Sequence, residues 1–256
     1  MHHKARPRIA RIEHGAGQSY QSGHGSYAGG NGCEAVSLFL MPNQYSADLW
    51  QSRYPEAQVE IVGSPRLDTL PARDTNPGPT VAISFHWDCY LLGETRSAVD
   101  HYRSVLPELA ERFTVMGHGH PRAFEPGRLA RIYRRAGIEQ ETSFDEVCRK
   151  ADIYVCDNSS SLFEFAATGR PVVVLNAPWY RRNVDFGLRF WDAADVGIQV
   201  DQPGQLIAAI ERAVQDPPQQ RHKRERALAQ VYAYRSGAAK RAAEILGAWV
   251  SKEDPT

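Results

Sequence analysis

The stretch ADIYVCDNSSSLFEFAATGRPVVVLN, residues 151–176, decides the fold. An apolar, β-rich run ends at Cys156, and a polar turn of Asp157, Asn158, Ser159 and Ser160 follows. Apolar residues at helical spacing then run from Ser161 to Thr168, and a second apolar run opens at Pro171. Strand, turn, helix and strand in that order form a βαβ unit, because parallel strands need a crossover between them. A helix starting at the carboxyl end of a parallel strand presents unpaired backbone N–H groups and the positive end of its dipole. Serine hydroxyls add donors without bulk, so the turn reads as an anion cradle suited to a phosphate or pyrophosphate. The plainer reading is a capped helix, with Ser161 and Glu164 forming a capping box. Three consecutive serines behind an Asp and an Asn exceed what a cap requires, and the two readings are compatible.

Working outward, the same alternation continues on both sides. Upstream, TVAISF (80–85) is a strand and RSAVDHYRSVLPELAERF (96–113) a helix interrupted by Pro107. FTVMG (113–117) is another strand, and RLARIYRRAG (128–137) a basic amphipathic helix ending at Gly137, where a left-handed residue costs glycine nothing. Downstream, QPGQLIAAIERAVQD (202–216) is a helix, residues 221–247 are a basic, Ala-rich helix or helix pair, and 251–256 are frayed. PARDTNPGPT (71–80) denies both helix and ladder hydrogen bonds and reads as a linker with its boundary near Arg73. Before it, PRIARIEHG, CEAVSLFLM and QVEIVGSP are three short apolar runs for a smaller sheet. The expectation is an α/β chain with parallel sheets in two lobes, residues 1–73 and 74–256.

Composition agrees. The 256 residues suit one large domain or two small ones, and 42% apolar with 23% charged residues is ordinary globular usage, which excludes disorder, collagen and coiled coil. Thirty Lys and Arg balance thirty Asp and Glu, which removes the whole-chain electrostatic case for a nucleic-acid partner. No apolar run approaches the roughly 20 residues that span a bilayer, and MHHKARPRI has no hydrophobic signal core, so a cytoplasmic location is expected. Cys33, Cys89, Cys148 and Cys156 form no CxxC pair, which fits reduced thiols.

The 151–178 block resembles the C-terminal signature of the CDP-glycerol glycerophosphotransferase family, the teichoic acid primases and polymerases. In that family a strand ending in Asp-Tyr-Ser-Ser leads into a Phe-Glu or Phe-Asp helix and a Lys-Pro strand. Here those places hold Asp157, Asn158, Ser159, Ser160, the Phe163-Glu164 pair and Arg170-Pro171, with Asn158 departing from Tyr. Three more blocks fall in the family's order. RIEHGAGQSY puts His14 at a strand-to-glycine turn, where an imidazole with an unperturbed pKa near ~6.5 can take a proton at neutral pH, or simply pack. The resemblance assigns it the general base, although Gln18 and Ser19 stand where relatives continue to a Lys. VMGHGHPR carries His118 and His120, and the family's His-Pro matches His120-Pro121; the implied role is to contact the phosphates and balance charge on the leaving nucleotide, with Arg122 adding a bidentate grip. A metal site built from His-Gly-His with Asp157 competes, but no third His or Glu stands at helical spacing nearby.

AISFHWDCY takes the place of the family's Pro-Thr-aromatic-Arg stretch, with His86, Trp87 and Asp88 in the loop; Trp87 either stacks on a base or is buried. SPRLD, with Arg66 and Asp68, matches Gly-X-Pro-Arg-X-Asp and is read as ordering the hinge through a charge pair. Arg181 and Arg182 follow a strand and meet a phosphate or are solvated, and RHKRER (221–226) reads most simply as one solvated helix face, with an anionic membrane surface or polymer as the alternative contact.

The resemblance implies two Rossmann-like lobes of the GT-B kind, with a shortened N-terminal lobe. The C-terminal lobe would hold the nucleotide diphosphate with His118, Arg122, Asp157, Asn158, Ser159, Ser160, Ser161 and Glu164. The donor is a CDP- or UDP-linked substrate, with no further cofactor and no metal, and the acceptor is a hydroxyl, on a lipid-linked or surface polymer in relatives. A short first lobe points to a small or delivered acceptor, to completion by homo-oligomerisation, or to lost activity, and the location implied is cytoplasmic, including peripheral association at the inner membrane face. Two other functions fit the same motifs: a GT-B glycosyltransferase using a nucleotide sugar, and a non-catalytic nucleotide-binding remnant.

Overall fold

The computed structural model describes residues 8–13, 15–16, 33–75, 77–88, 96–125, 127–157, 159–180 and 195–251. Its elements, in chain order, begin with β1 (Ile9–Ile12), β2 (Val36–Met41), α1 (Gln44–Arg53), β3 (Gln58–Ile61) and α2 (Pro65–Asp68). Then come β4 (Thr80–Phe85), α3 (Val99–Tyr102), α4 (Leu106–Arg112), β5 (Thr114–Gly119), α5 (Pro121–Phe124) and α6 (Arg128–Arg135). β6 (Glu139–Gln140), α7 (Phe144–Lys150), β7 (Ile153–Cys156), α8 (Ser161–Ala166), β8 (Val172–Leu175) and β9 (Ile198–Val200) follow, and α9 (Leu206–Gln215), α10 (Pro218–Val231) and α11 (Ala238–Ser251) close the chain. The chain divides into two units, Met1–Thr69 with Gln230–Thr256, and Leu70–Ala229.

In the first unit the parallel sheet has the order β1-β2-β3. Successive side chains of a strand point to opposite faces, so VSLFLM buries both. Phe39 and Met41 pack with Trp50 of α1, where Phe39 and Trp50 stack at 4.6 Å between ring centroids. Leu38 and Leu40 pack with Val62 and with Ala242 and Trp249 of α11. This contact moves residues 230–256, expected in the second lobe, into the first unit, and the division falls after Thr69 rather than near Arg73. Asp68, read from the sequence as half of a hinge charge pair with Arg66, is the cap of α11: its carboxylate accepts from Gly237 N (2.6 Å) and Ala239 N (2.7 Å). Asp68→Ala is expected to cost about 1 kcal/mol, and hydrogen exchange should quicken in α11 before it does elsewhere in the unit.

The second unit is a six-stranded parallel sheet in the order β6-β5-β4-β7-β8-β9. β4, β7 and β8 are buried along their whole length, which is why they read as continuous apolar runs. The strand order reverses between β4 and β7, and in such sheets the ligand crevice opens over the carboxyl ends at that point. The helix expected over 96–113 breaks at Arg103–Val105, and Pro107 sits in the first turn of α4, where its missing N–H costs nothing. Gly137 takes the left-handed conformation (φ 72°). The RHKRER run is not one solvated face: Arg224 is 3% exposed and forks onto Asp216 (3.0 and 3.1 Å) and Gly169 O (2.7 Å).

Candidate functional site

The crevice is organised by Asp157, the first residue past β7. Its carboxylate is fully buried and accepts from His86 N just after β4 (2.8 Å) and from Ala98 N just before α3 (2.9 Å). One carboxylate thus ties the residue after β4 to the residue before α3, and its two oxygens face backbone amides. Asp157, expected among the phosphate contacts, is therefore a support for the site.

His120 follows β5 and caps α5. Its backbone N donates to Phe85 O (3.1 Å), and its Nδ1 accepts from Arg122 N (3.2 Å). With Nδ1 accepting, the neutral ring carries its proton on Nε2, a donor for a phosphate oxygen. His86 lies beside it with ring centroids 5.3 Å apart, Trp87 is 5.9 Å from His120, and the Arg122 guanidinium lies over the Trp87 ring at 4.9 Å. His86 Nδ1 donates to Trp87 O at 2.9 Å, fixing the ring against its neighbour. His86, Trp87 and Arg122, with Asp88, Ser97 and Arg128, border a cavity of about 200 Å³ in the second unit, and His120 stands behind its His86 and Trp87 rings. Trp87 is half-buried, with one face covered by Arg122 and its ring on the border of the cavity.

The serine turn is more constrained than a bare cradle. Ser160 is the N-cap of α8 but makes no side-chain cap bond, and Ser161 is already helical, so the Ser161–Glu164 capping box does not form. Ser161 Oγ instead meets the buried Tyr154 hydroxyl at 2.9 Å and Ser159 Oγ at 2.8 Å, and Ser159 Oγ also accepts from Ser161 N (3.3 Å). Burial holds the Tyr154 pKa well above its usual value, so the phenol stays protonated and able to donate. The amides of Leu162 and Phe163 bond to Ser159 O and Ser160 O, so the donors left to a ligand are chiefly hydroxyls. All three serines and Glu164 are half-buried.

His118 is separated from this set. It is 7% exposed, its Nδ1 donates to Glu141 O (2.8 Å), and its ring packs on Phe144. Its expected phosphate contact gives way to packing between β5 and α7, because a residue inside a central strand is covered by the helix layer. Burial pulls its pKa below the usual 6.5. The unfolded chain therefore takes up a proton that the folded chain resists, and the stability tied to neutral His118 is full above about 6.5 and lost as the pH falls toward the lowered value. Urea midpoints measured between pH 7.5 and 5.5 should fall more for the wild type than for His118→Gln.

Arg170, of the Arg-Pro pair, donates to the carbonyls of Cys148 and Ala151 at the end of α7 and lies over Phe165, a structural role. His14, Asn158, Arg181 and Arg182 lie outside the described residues. Among the described residues no three His, Cys, Asp or Glu side chains converge as metal ligands. Asp88, named from the sequence only as a loop residue, accepts from Ser97 N (2.9 Å) and meets Arg128 (3.2 Å); the residue that sequence reasoning missed is Tyr154. The one signal for Tyr154 was a hydroxyl-bearing residue in an otherwise apolar strand.

A family model described as CDP-glycerol:poly(glycerophosphate) glycerophosphotransferase matches residues 92–245. No curated protein matches the sequence. The wall teichoic acid polymerase TagF superposes with a TM-score of 0.61 at 13% identity, over 96% of this chain and 68% of its own. The MnaA–UDP complex from S. aureus gives 0.56 at 14% identity, over 87% and 62%. A UDP-N-acetylglucosamine 2-epimerase gives 0.55 at 14%, over 87% and 60%. This chain thus spans about two thirds of the length of these proteins, and the likenesses establish a GT-B-like α/β fold. The family match covers more than half of the chain and includes the serine turn, His120 and the Asp157 anchor, so the chain belongs to the CDP-glycerol:poly(glycerophosphate) glycerophosphotransferase family, enzymes that transfer a group from a nucleotide-linked donor.

Proposed function

We propose that the second unit holds the diphosphate of a CDP-glycerol-type donor over the carboxyl ends of β4, β5 and β7, and that the chain passes the glycerophosphate to an acceptor hydroxyl. The acceptor oxygen attacks the phosphorus bearing the glycerol, the bond to the bridging oxygen breaks, and its electron pair leaves with CMP. His14 takes the acceptor's proton. The His120 Nε2–H, the Arg122 guanidinium and the Ser159 and Ser160 hydroxyls stabilise the charge that develops on the phosphates. With imidazole, guanidinium and hydroxyl donors at hand, the transfer runs without a divalent ion.

One observation carries this reading. His86 joins the two halves of the site, its amide on the Asp157 carboxylate that starts the serine turn and its ring 5.3 Å from His120. His120 and Asp157, far apart in sequence, are thereby linked through one residue at the carboxyl ends of β4, β5 and β7.

The nucleotide released tests the proposal. Incubation with CDP-glycerol and a glycerol-phosphate acceptor should release CMP, in the presence of a chelator as well. Release of a nucleoside diphosphate from a nucleotide sugar would mean glycosyl transfer, and tight nucleotide binding with no turnover of any donor would mean a binding module. The acceptor, as in the resemblance, is a hydroxyl on a polymer or lipid-linked primer. Among the described residues no helix is long and apolar enough to cross a membrane.

A further inference from the structure

α6 carries four arginines in eight residues, RLARIYRR. Leu129 and Tyr133 are buried against the sheet, whereas Arg131, Arg134 and Arg135 are exposed. Arg128, Arg131 and Arg135 follow the i, i+3, i+7 spacing of one helix face. Arg128 is held by Asp88 and Asp100 at the edge of the 200 Å³ cavity, and the other three have no carboxylate partner among the described residues. The stripe thus begins at the candidate site and runs outward along the helix.

Local stability does not explain it. Cations in the last turn gain from the helix dipole, which accounts for Arg134 and Arg135. Arg131 stands in the first half of the helix, where that gain is absent, and it repels Arg134 and Arg135 three and four residues on. Building on the proposed transfer to a polymer, we propose that this face is the track where the polymer docks, a chain of repeated phosphates laid along α6 with its end at the cavity.

Three features select that partner. The charged residues are all arginine, whose planar fork pairs two phosphate oxygens at once, a preference that diffuse attraction does not need. A membrane-surface helix inserts an apolar side, but the apolar side of α6 is buried in the sheet's own core. Single-stranded nucleic acid binds on exposed aromatic platforms, and Tyr133, the one aromatic residue of α6, is buried.

Binding of end-labelled inorganic polyphosphate, followed by anisotropy at low and raised salt, tests the track with no donor present, so its outcome is separable from that of the transferase reading. The triple variant Arg131→Gln, Arg134→Gln, Arg135→Gln keeps helix propensity and should weaken binding about 10- to 100-fold at low salt. Its log–log salt slope should fall by about 2–3, one unit per lost phosphate contact. The triple Lys variant should recover part of the affinity, and Arg212→Gln, an exposed arginine on α9, should leave it intact. Wild-type binding to anionic vesicles or oligo-dT but not to polyphosphate would overturn the proposal, as would a triple variant that binds polyphosphate like the wild type.

Discussion

Replacing His120 with Asn is expected to lower kcat/KM for the nucleotide donor by about 10²–10³-fold, about 3–4 kcal/mol of transition-state stabilisation, with little change in the unfolding midpoint. Asn is a strong helix N-cap, so the bond that His120 Nδ1 accepts from Arg122 N has a substitute in the Asn side-chain oxygen. What disappears is the Nε2 donor. If the imidazole stabilises charge on the leaving nucleotide, the loss falls in kcat, because the charge grows only as the bridging bond breaks. His14→Ala is the companion variant: as the proposed base it should abolish turnover while leaving the affinity for CDP unchanged. A His120→Asn enzyme within threefold of the wild type would remove His120 from the chemistry and leave it as the cap of α5. Nucleotide affinity measured on the same variants separates loss of binding from loss of the chemical step.

The contrast between His120 and His118 shows how far the sequence carries. Both stand at the carboxyl end of β5 in one GHGH run, and the period-2 rule cannot separate residues two apart. What separates them is where the strand stops. Gly119 is the last ladder residue, so His118 is still covered by α7 and Phe144, while His120 has left the sheet and turned into α5. The strands themselves were legible, because a buried parallel strand is a continuous apolar run and needs no partner to be recognised. Thr80–Phe85, Ile153–Cys156 and Val172–Leu175 fall where those runs fall.

Long-range capping was not legible. The Asp68 carboxylate bonds amides 169 and 171 residues away, and nothing near residue 68 announces that α11 will arrive there. The basic, Ala-rich character of the chain's end showed a helix but not its partner, which Leu38, Leu40 and Asp68 determine. The serine turn was half legible. Its place after β7 was plain, yet the capping-box reading of Ser161 failed because the Tyr154 hydroxyl, seven residues back and on the strand, competes for the same oxygen. A local rule for side-chain-to-backbone bonding loses wherever a buried polar group needs the same partner.

That priority of buried polar groups makes Asp157 the position where a single substitution should do most damage to the fold. Asp157→Ala removes the acceptor of two amides, His86 N and Ala98 N, in a fully buried place. Each bond to a carboxylate contributes about 1.5–3 kcal/mol, and stranding the amides without water adds to the loss, so a destabilisation of about 3–5 kcal/mol is expected. Asp157→Asn is not a mild alternative, since its amide nitrogen would face one of the two N–H donors, and it should lose at least half as much. The consequence for function follows from what the carboxylate holds. With it gone, His86 loses the tether that keeps its ring beside His120, and the segment entering α3 loses its anchor at the switch point. CDP affinity should therefore fall about tenfold or more even at temperatures where the variant is folded. Urea denaturation with an unchanged m-value, paired with calorimetric titration of CDP, measures both effects. A variant within 1 kcal/mol of the wild type would mean that the two amides find water, and that the serine turn and His120 keep their places without the carboxylate between them.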